Sequence, residues 1–328
     1  MTSPLTTLND ALRTDMESVN AAIMRNMESP IALIPQLAGY LIAAGGKRIR
    51  PLLTLAATGL YDGDMTRAHN LAAVVEFIHS ATLLHDDVVD ESDTRRGQDS
   101  ASQVFGNKAA VLVGDFLFSR SFQMMVSDGD LGILKVLSDA SAVIASGEVM
   151  QLSTANNLET TLDDYVEVIK AKTAALFAAA CEVGPMLACH AEVAEQRKRM
   201  HDYGMNMGIA FQIADDALDY AAERKTLGKT IGDDFREGKM TAPIIFALQK
   251  ADAEERDFWT RTIERRDQTP DDLQTAMNIF ERHNALDQSM DMARTFAAQA
   301  KEALTDVPEH ELKTVLSDLA DYVVSRKS

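Results

Sequence analysis

The stretch VVEFIHSATLLHDDVVD, Val74 to Asp90, decides the fold class. Together with Leu71, the residues Val74, Val75, Ile78 and Thr82 recur at the three- and four-residue spacing that lines one face of an α-helix. The same spacing runs through most of the chain, whereas sustained alternation of apolar and polar residues is scarce. An all-α protein is expected. Helix starts are read where Thr161 precedes Asp164 and where Thr269 precedes Pro270 and Asp272, both resembling capping boxes. Turn-rich breaks are read at Tyr61–Asp64, Glu91–Ser100, Asp128–Asp130, Asn156–Glu159 and Ala222–Gly238. None resembles a long linker and no short-period repeat is found, so residues 1–328 are expected to form a single domain, one large helical bundle. The region beyond Ala251 is amphipathic helix without a chemical cluster and is assigned to packing.

At 328 residues and 46% hydrophobic content the chain can bury a sizeable core. A net charge of −18 opposes nucleic acid phosphates and anionic lipid, so no nucleic acid partner is expected. An anionic substrate would need a local concentration of Lys, Arg or metal. Cys181 and Cys189 form neither a CxxC pair nor a zinc spacing, and read as reduced core residues of a cytoplasmic protein. Asp10, Asp15 and Glu17 interrupt any signal-like run at the amino terminus, and no transmembrane segment is expected; peripheral membrane contact is compatible with this reading.

The chemistry is concentrated in two acidic clusters. Asp86, Asp87 and Asp90 close the apolar run from Leu71 to Leu84, and on a helix their spacing gathers the carboxylates on one face. Such a face repels itself unless a hard divalent cation neutralises it. Asp215, Asp216 and Asp219 repeat the spacing after the apolar run Met205 to Ala214. One DDxxD is weak evidence in an Asp-rich chain, and the similar triplets Asp163/Asp164/Glu167 and Asp233/Asp234/Glu237 read as a helix start and a loop. Two copies that both end apolar helical stretches favour metal binding over a solvated face. Basic groups lie beside them: Lys47, Arg48 and Arg50 between Gly46 and the Pro51 helix start, and Arg95 and Arg96 just after the first cluster. Each alone reads as a surface charge; beside the acids they read as diphosphate donors. Lys172 with Thr173, Gln212, Lys229, Lys239 and His79 are further candidates, His79 reading equally well as a hydrogen-bonded core residue.

These residues resemble the trans-prenyl diphosphate synthase family, the polyprenyl synthetases. The resemblance is carried by GGKRIRP (Gly45–Pro51), Val74–Asp90, RRG (Arg95–Gly97), GEVMQL (Gly147–Leu152), AKT (Ala171–Thr173), GIAFQIADDALDY (Gly208–Tyr220), and LGKTIGDD with REGK (Leu227–Lys239). Ala242 departs from it, the family more often having Leu before this Pro. The resemblance implies an all-α bundle around a deep central cavity, with the two aspartate motifs facing each other at its mouth. It implies three magnesium ions held by Asp86, Asp90 and Asp215, supported by Asp87, Asp216 and Asp219. Arg95, Lys172 and Lys229 would bind the allylic diphosphate. Lys47, Arg50, His79 and Arg96 would bind isopentenyl diphosphate, which carries no metal. Thr173 and Gln212 would aim oxygen dipoles at the developing allylic cation, with Gln151 lining its pocket. The departing pyrophosphate would take the proton, and the Gly228–Gly238 segment is the lid candidate. A homodimer is implied, and a long-chain type making products for a quinone side chain.

Ala81 and Thr82 lie about one helical turn before Asp86, where short-chain members often place aromatic rings as a floor. Small residues there leave a path open for a product of roughly eight to ten isoprene units, by the same resemblance. The alternatives are a short-chain synthase, a class I terpene cyclase and a non-catalytic synthase subunit. The intact second motif and GGKRIRP argue against the cyclase, and the absence of motif decay against the subunit.

Overall fold

The computed structural model describes residues 3–43, 46–95, 98–188, 193–221 and 231–326, the side chains of Ile42 and Ala43 excepted. Arg96, Lys229 and Cys189 lie outside the described residues, as do Gly228 to Thr230 of the lid candidate. The protein is all-α, as its spacing predicts. The strands among the described residues are a single antiparallel ribbon, Thr94–Arg95 with Gln98–Asp99, in the break after the first acidic motif. The chain divides into two compact units.

The first unit comprises Met1–Ser141, Leu176–Gly204 and Asp306–Leu316. At its centre runs the helix Met65–Val89, started by the Asp64 carboxylate, which accepts the backbone N–H groups of Thr66 (2.9 Å) and Arg67 (3.1 Å). It buries Leu71, Val74, Val75, Ile78 and Ala81, and packs most extensively against the helix Asn107–Asp128, then against Ile49–Leu60 and Arg13–Met27. The helix Asn107–Asp128 contains an 18-residue window of mean hydropathy 1.2, long and apolar enough to cross a membrane by length and composition, where the sequence reading finds no such stretch. Its packing against Met65–Val89 accounts for part of that apolar character: 44% of the window is buried inside the protein.

The second unit comprises Ala142–Ala175, Met205–Thr305 and Ser317–Ser328. Its core is an aromatic cluster in which Trp259 stacks on Phe280 (5.8 Å between centroids) while Tyr220 and Phe235 meet this pair edge-on. Tyr220 follows Asp219 and Phe235 follows Asp234, so the cluster anchors the acidic residues on both sides of positions 222–230.

Two local readings change. Thr161 and Asp164 form the expected capping box, but the later helix runs Asp272–His283, with Asp271 at its cap position. Only half of that second box exists: the Asp272 carboxylate accepts Thr269 N–H (2.6 Å) and is otherwise engaged by Arg261 (2.6 and 2.9 Å). The Asp233/Asp234/Glu237 triplet, read as a loop, is a short helix, Asp233–Glu237. Gly232 (φ 75°) and Gly238 (φ 71°) bound it in the left-handed region, and burial of Phe235 holds it down.

Candidate active site

Both acidic motifs close long helices, Met65–Val89 and Val193–Leu218, neither of which has a basic residue in its last turn. Carboxylates at the negative end of a helix dipole cost about 0.3–1 kcal/mol each when exposed, so this placement is unfavourable without a cation.

In the first unit Asp87 is buried, and its Oδ1 accepts Arg95 Nε and Nη2, both at 2.6 Å. Its Oδ2 has no hydrogen-bond partner among the described residues. Asp86 and Asp90 are more accessible, Asp90 closing the helix with its N–H on Asp86 O (2.8 Å). Arg95 is thus placed on the motif itself. Arg50 Nη1 lies 3.0 Å from His79 Nε2, and its guanidinium carbon sits 4.5 Å from the centroid of the Phe177 ring. Arg48 has a different duty. In the left-handed conformation at the head of Ile49–Leu60, it pairs with half-buried Glu76 (2.5 Å) and fixes the entry of the chain, leaving Lys47 exposed. Ala81 is fully buried, and Thr82 Oγ1 donates to His79 O (2.8 Å).

In the second unit a cavity of about 130 Å³ brings Gln151, Lys172, Thr173, Gln212, Asp216 and Lys239 together. This is space for roughly four waters, enough for part of a charged head group and far too little for a polyprenyl tail. Lys172 and Thr173 lie in a π-helical turn, Lys170–Ala174, interposed between the helices Leu162–Ile169 and Ala175–Met186. Gly147 permits the close approach beside it: a Cβ there would lie 2.8 Å from Lys172 N. The next residue, Glu148, accepts Lys172 Nζ at 2.6 Å. Lys239 pairs with Glu237 at 2.5 Å.

A hydrogen-bond chain crosses this cavity wall. Thr173 Oγ1 donates to Gln212 Oε1 (2.8 Å), Gln212 Nε2 donates to Asp216 Oδ1 (2.7 Å), and buried Tyr165 donates to Asp216 Oδ2 (2.6 Å). Burial raises the Asp216 pKa, the Tyr165 and Gln212 bonds oppose this, and the charges of Asp215 and Asp219 raise it further. Asp234 is raised by burial and by Asp216 and Asp219; its N–H bonds Asp219 Oδ2 (3.1 Å), while Gly232 N–H bonds Asp219 O (3.0 Å). The described part of the lid candidate is therefore tied to the second motif. Asp215 is the accessible member, its side chain 45% exposed, and Arg326 Nη2 approaches its Oδ1 at 3.3 Å.

Sequence reasoning missed Tyr165, Glu148 and Arg326. Glu148 stands within GEVMQL, so a signal was present; Arg326 lies in the last third, which had been assigned to packing alone. Among the described residues no three His, Cys, Asp or Glu side chains converge on one point.

A model of the polyprenyl synthetase family matches residues 31–280. The chain belongs to that family. It is a prenyltransferase, and the resemblance read from its motifs is borne out. It is 43% identical over 325 residues to the octaprenyl diphosphate synthase of Escherichia coli (strain K12), covering 97% of this chain and 98% of that one. Among solved structures it is similar to a decaprenyl diphosphate synthase from Rhodobacter capsulatus, with 50% identity, TM-score 0.93, and 99% of each chain covered. It is also similar to a polyprenyl synthase from Caulobacter crescentus CB15 complexed with calcium and isoprenyl diphosphate, with 47% identity, TM-score 0.94, and 99% and 98% covered.

Proposed function

We propose that this prenyltransferase is a long-chain trans-polyprenyl diphosphate synthase that adds isopentenyl diphosphate to an allylic diphosphate primer. The observation that carries this is near-complete coverage at 43–50% identity by octaprenyl and decaprenyl diphosphate synthases, with Gln151, Lys172, Thr173, Gln212, Asp216 and Lys239 of the predicted set gathered on one cavity. The donor set fits hard divalent ions. Asp215 is accessible whereas Asp87 and Asp216 are buried and already bonded, which divides each motif into outer ligands and inner supports. Asp86, Asp90 and Asp215 would hold the ions, for which we propose magnesium, three per site. Magnesium characteristically uses one or two carboxylates together with substrate phosphates, which suits a protein offering no complete cage among the described residues. When bound, such ions would supply Lewis-acid stabilisation of the departing diphosphate.

The chain's own residues do the rest. Lys172, Lys239 and Arg95 are donors for the allylic diphosphate, and Arg50 with His79 for isopentenyl diphosphate. The bond from Gln212 Nε2 to Asp216 fixes the amide so that Oε1 faces Thr173. Thr173 donates its proton to that oxygen, leaving hydroxyl lone pairs to face the developing allylic cation.

Incubation with magnesium, farnesyl diphosphate and labelled isopentenyl diphosphate, followed by sizing of the lipid, tests the reading; products of about eight to ten isoprene units are expected. Replacing Ala81 with Phe should shorten them, and an unchanged distribution would remove Ala81 from the product path. We further propose a homodimer, supported by exposed Val111, Leu112 and Val126 on Asn107–Asp128 and Leu131, Val149 and Leu152 on Leu131–Thr154; light scattering would report its mass. Cytoplasmic residence and a quinone side chain as end use complete the proposal, checked by cell fractionation and by quinone tail length in a deletion strain.

A further inference from the structure

Arg326 follows the helix Glu311–Ser325, its backbone N–H donating to Tyr322 O at 2.9 Å. Its side chain is only 5% exposed. The guanidinium carbon lies 4.3 Å from the centroid of the Phe211 ring, and Nη2 reaches both Phe211 O (3.4 Å) and Asp215 Oδ1 (3.3 Å). A planar guanidinium suits this position because it can lie on the ring and still point donors at a carboxylate. Burying that charge is costly unless an anion answers it, and here the anion is Asp215.

We infer that Arg326 is a positioning residue that serves as the resident counter-ion of Asp215, weakening divalent metal binding until a diphosphate is present. The inference rests on the reading of Asp215 as a metal ligand. Two observations carry it. The guanidinium is buried against Phe211 and aimed at one oxygen of this carboxylate. Among the described residues no three ligating side chains converge, so an ion arriving alone finds an incomplete shell and a fixed positive charge beside it. Diphosphate oxygens remove both obstacles, completing the shell and outweighing the guanidinium. Metal loading is thereby coupled to substrate without any moving part.

The test uses the full-length chain and Mn²⁺, whose free concentration is read by electron paramagnetic resonance, with and without inorganic pyrophosphate. Without pyrophosphate, R326Q should bind Mn²⁺ on the order of tenfold more tightly than the native protein, while R326K, which keeps the charge, stays near the native Kd. With pyrophosphate the gap between R326Q and the native protein should narrow. An R326Q Kd that is unchanged or weaker without pyrophosphate overturns the inference. If R326Q does not fold by circular dichroism, F211L decides: removing the ring beneath the guanidinium should shift the Kd in the same direction by about threefold, and no shift rejects the idea. D215N separates the two levels of argument. Loss of Mn²⁺ binding in D215N with no effect of R326Q defeats only the counter-ion role, whereas undiminished binding in D215N defeats the ligand reading beneath it.

Discussion

The two D-D-x-x-D segments share their spacing, their place at the end of a long helix and the burial of the middle aspartate, yet they differ in what answers that buried charge. Asp87 is met by a cation, Arg95, at 2.6 Å. Asp216 is met by neutral donors, Tyr165 and Gln212, while Arg326 goes to Asp215, Lys172 to Glu148 and Lys239 to Glu237. A charged partner can be redirected to an incoming diphosphate, whereas a phenol and an amide hold a carboxylate in place whether or not substrate is present. Asp87 is therefore built to exchange partners and Asp216 to keep them.

The sharpest way to break this comparison is to remove one outer ligand from each motif. Asp86→Ala and Asp215→Ala are each expected to lower kcat/KM by about 10³-fold or more, since each removes metal-borne charge stabilisation worth several kcal/mol. A variant that stays within tenfold of the native rate would show that its motif is not a ligand source. Next comes the support of the second motif: Trp259→Ala should cost about 3–5 kcal/mol, because it empties the centre of the cluster that anchors Tyr220 and Phe235. Calorimetry should still show one transition if both units fold as the single domain proposed from sequence, and two transitions with only one displaced would separate them.

A smaller effect isolates the neutral network. Tyr165→Phe leaves the buried Asp216 carboxylate one donor short and should cost about 1–3 kcal/mol in a denaturant melt; no loss would mean the phenol is incidental.

The smallest effects concern pH and have opposite signs in the two units. In the first, the bond to Glu182 raises the His201 pKa above its ordinary 6.5. That stabilisation is complete below about pH 6.5 and is lost as pH rises through the folded value. In the second, Arg261 and then the Thr269 N–H hold Asp272 well below the ordinary carboxylate range. Its contribution is complete above about pH 4 and is lost as pH falls through the folded value. H201Q should flatten the alkaline limb of stability against pH by a few tenths of a kcal/mol, its imidazole being 42% exposed. D272N should flatten only the acid limb, and a change on the wrong limb in either variant would refute the assignment.

The all-α class was legible because Leu71, Val74, Val75 and Ile78 obey a local period that the core enforces, and all four are buried. Lys172, Thr173, Gln212 and Asp216 were legible as chemistry, and they do meet at one cavity. Three kinds of feature were not. The short helix Asp233–Glu237 has too few residues to show a period and depends on left-handed glycines at both ends. The helix read from Thr269 begins at Asp272, whose carboxylate serves Arg261 as well as the Thr269 N–H, a pairing that the capping pattern does not record. Tyr165 and Arg326 act across 51 and 111 residues of sequence, and no local pattern records which carboxylate a tyrosine or an arginine will find.

The turn Lys170–Ala174 follows an i→i+5 hydrogen-bond ring and so holds one residue more than regular helix would. Shortening it by a single amino acid would restore ordinary pitch and leave the flanking helices in phase, while the side chains inside the turn would shift by up to about 100° around the axis. Few core contacts would break, yet Lys172 would lose Glu148 and Thr173 would lose Gln212. This chain is therefore more vulnerable to a one-codon deletion there than to most exchanges of one amino acid for another.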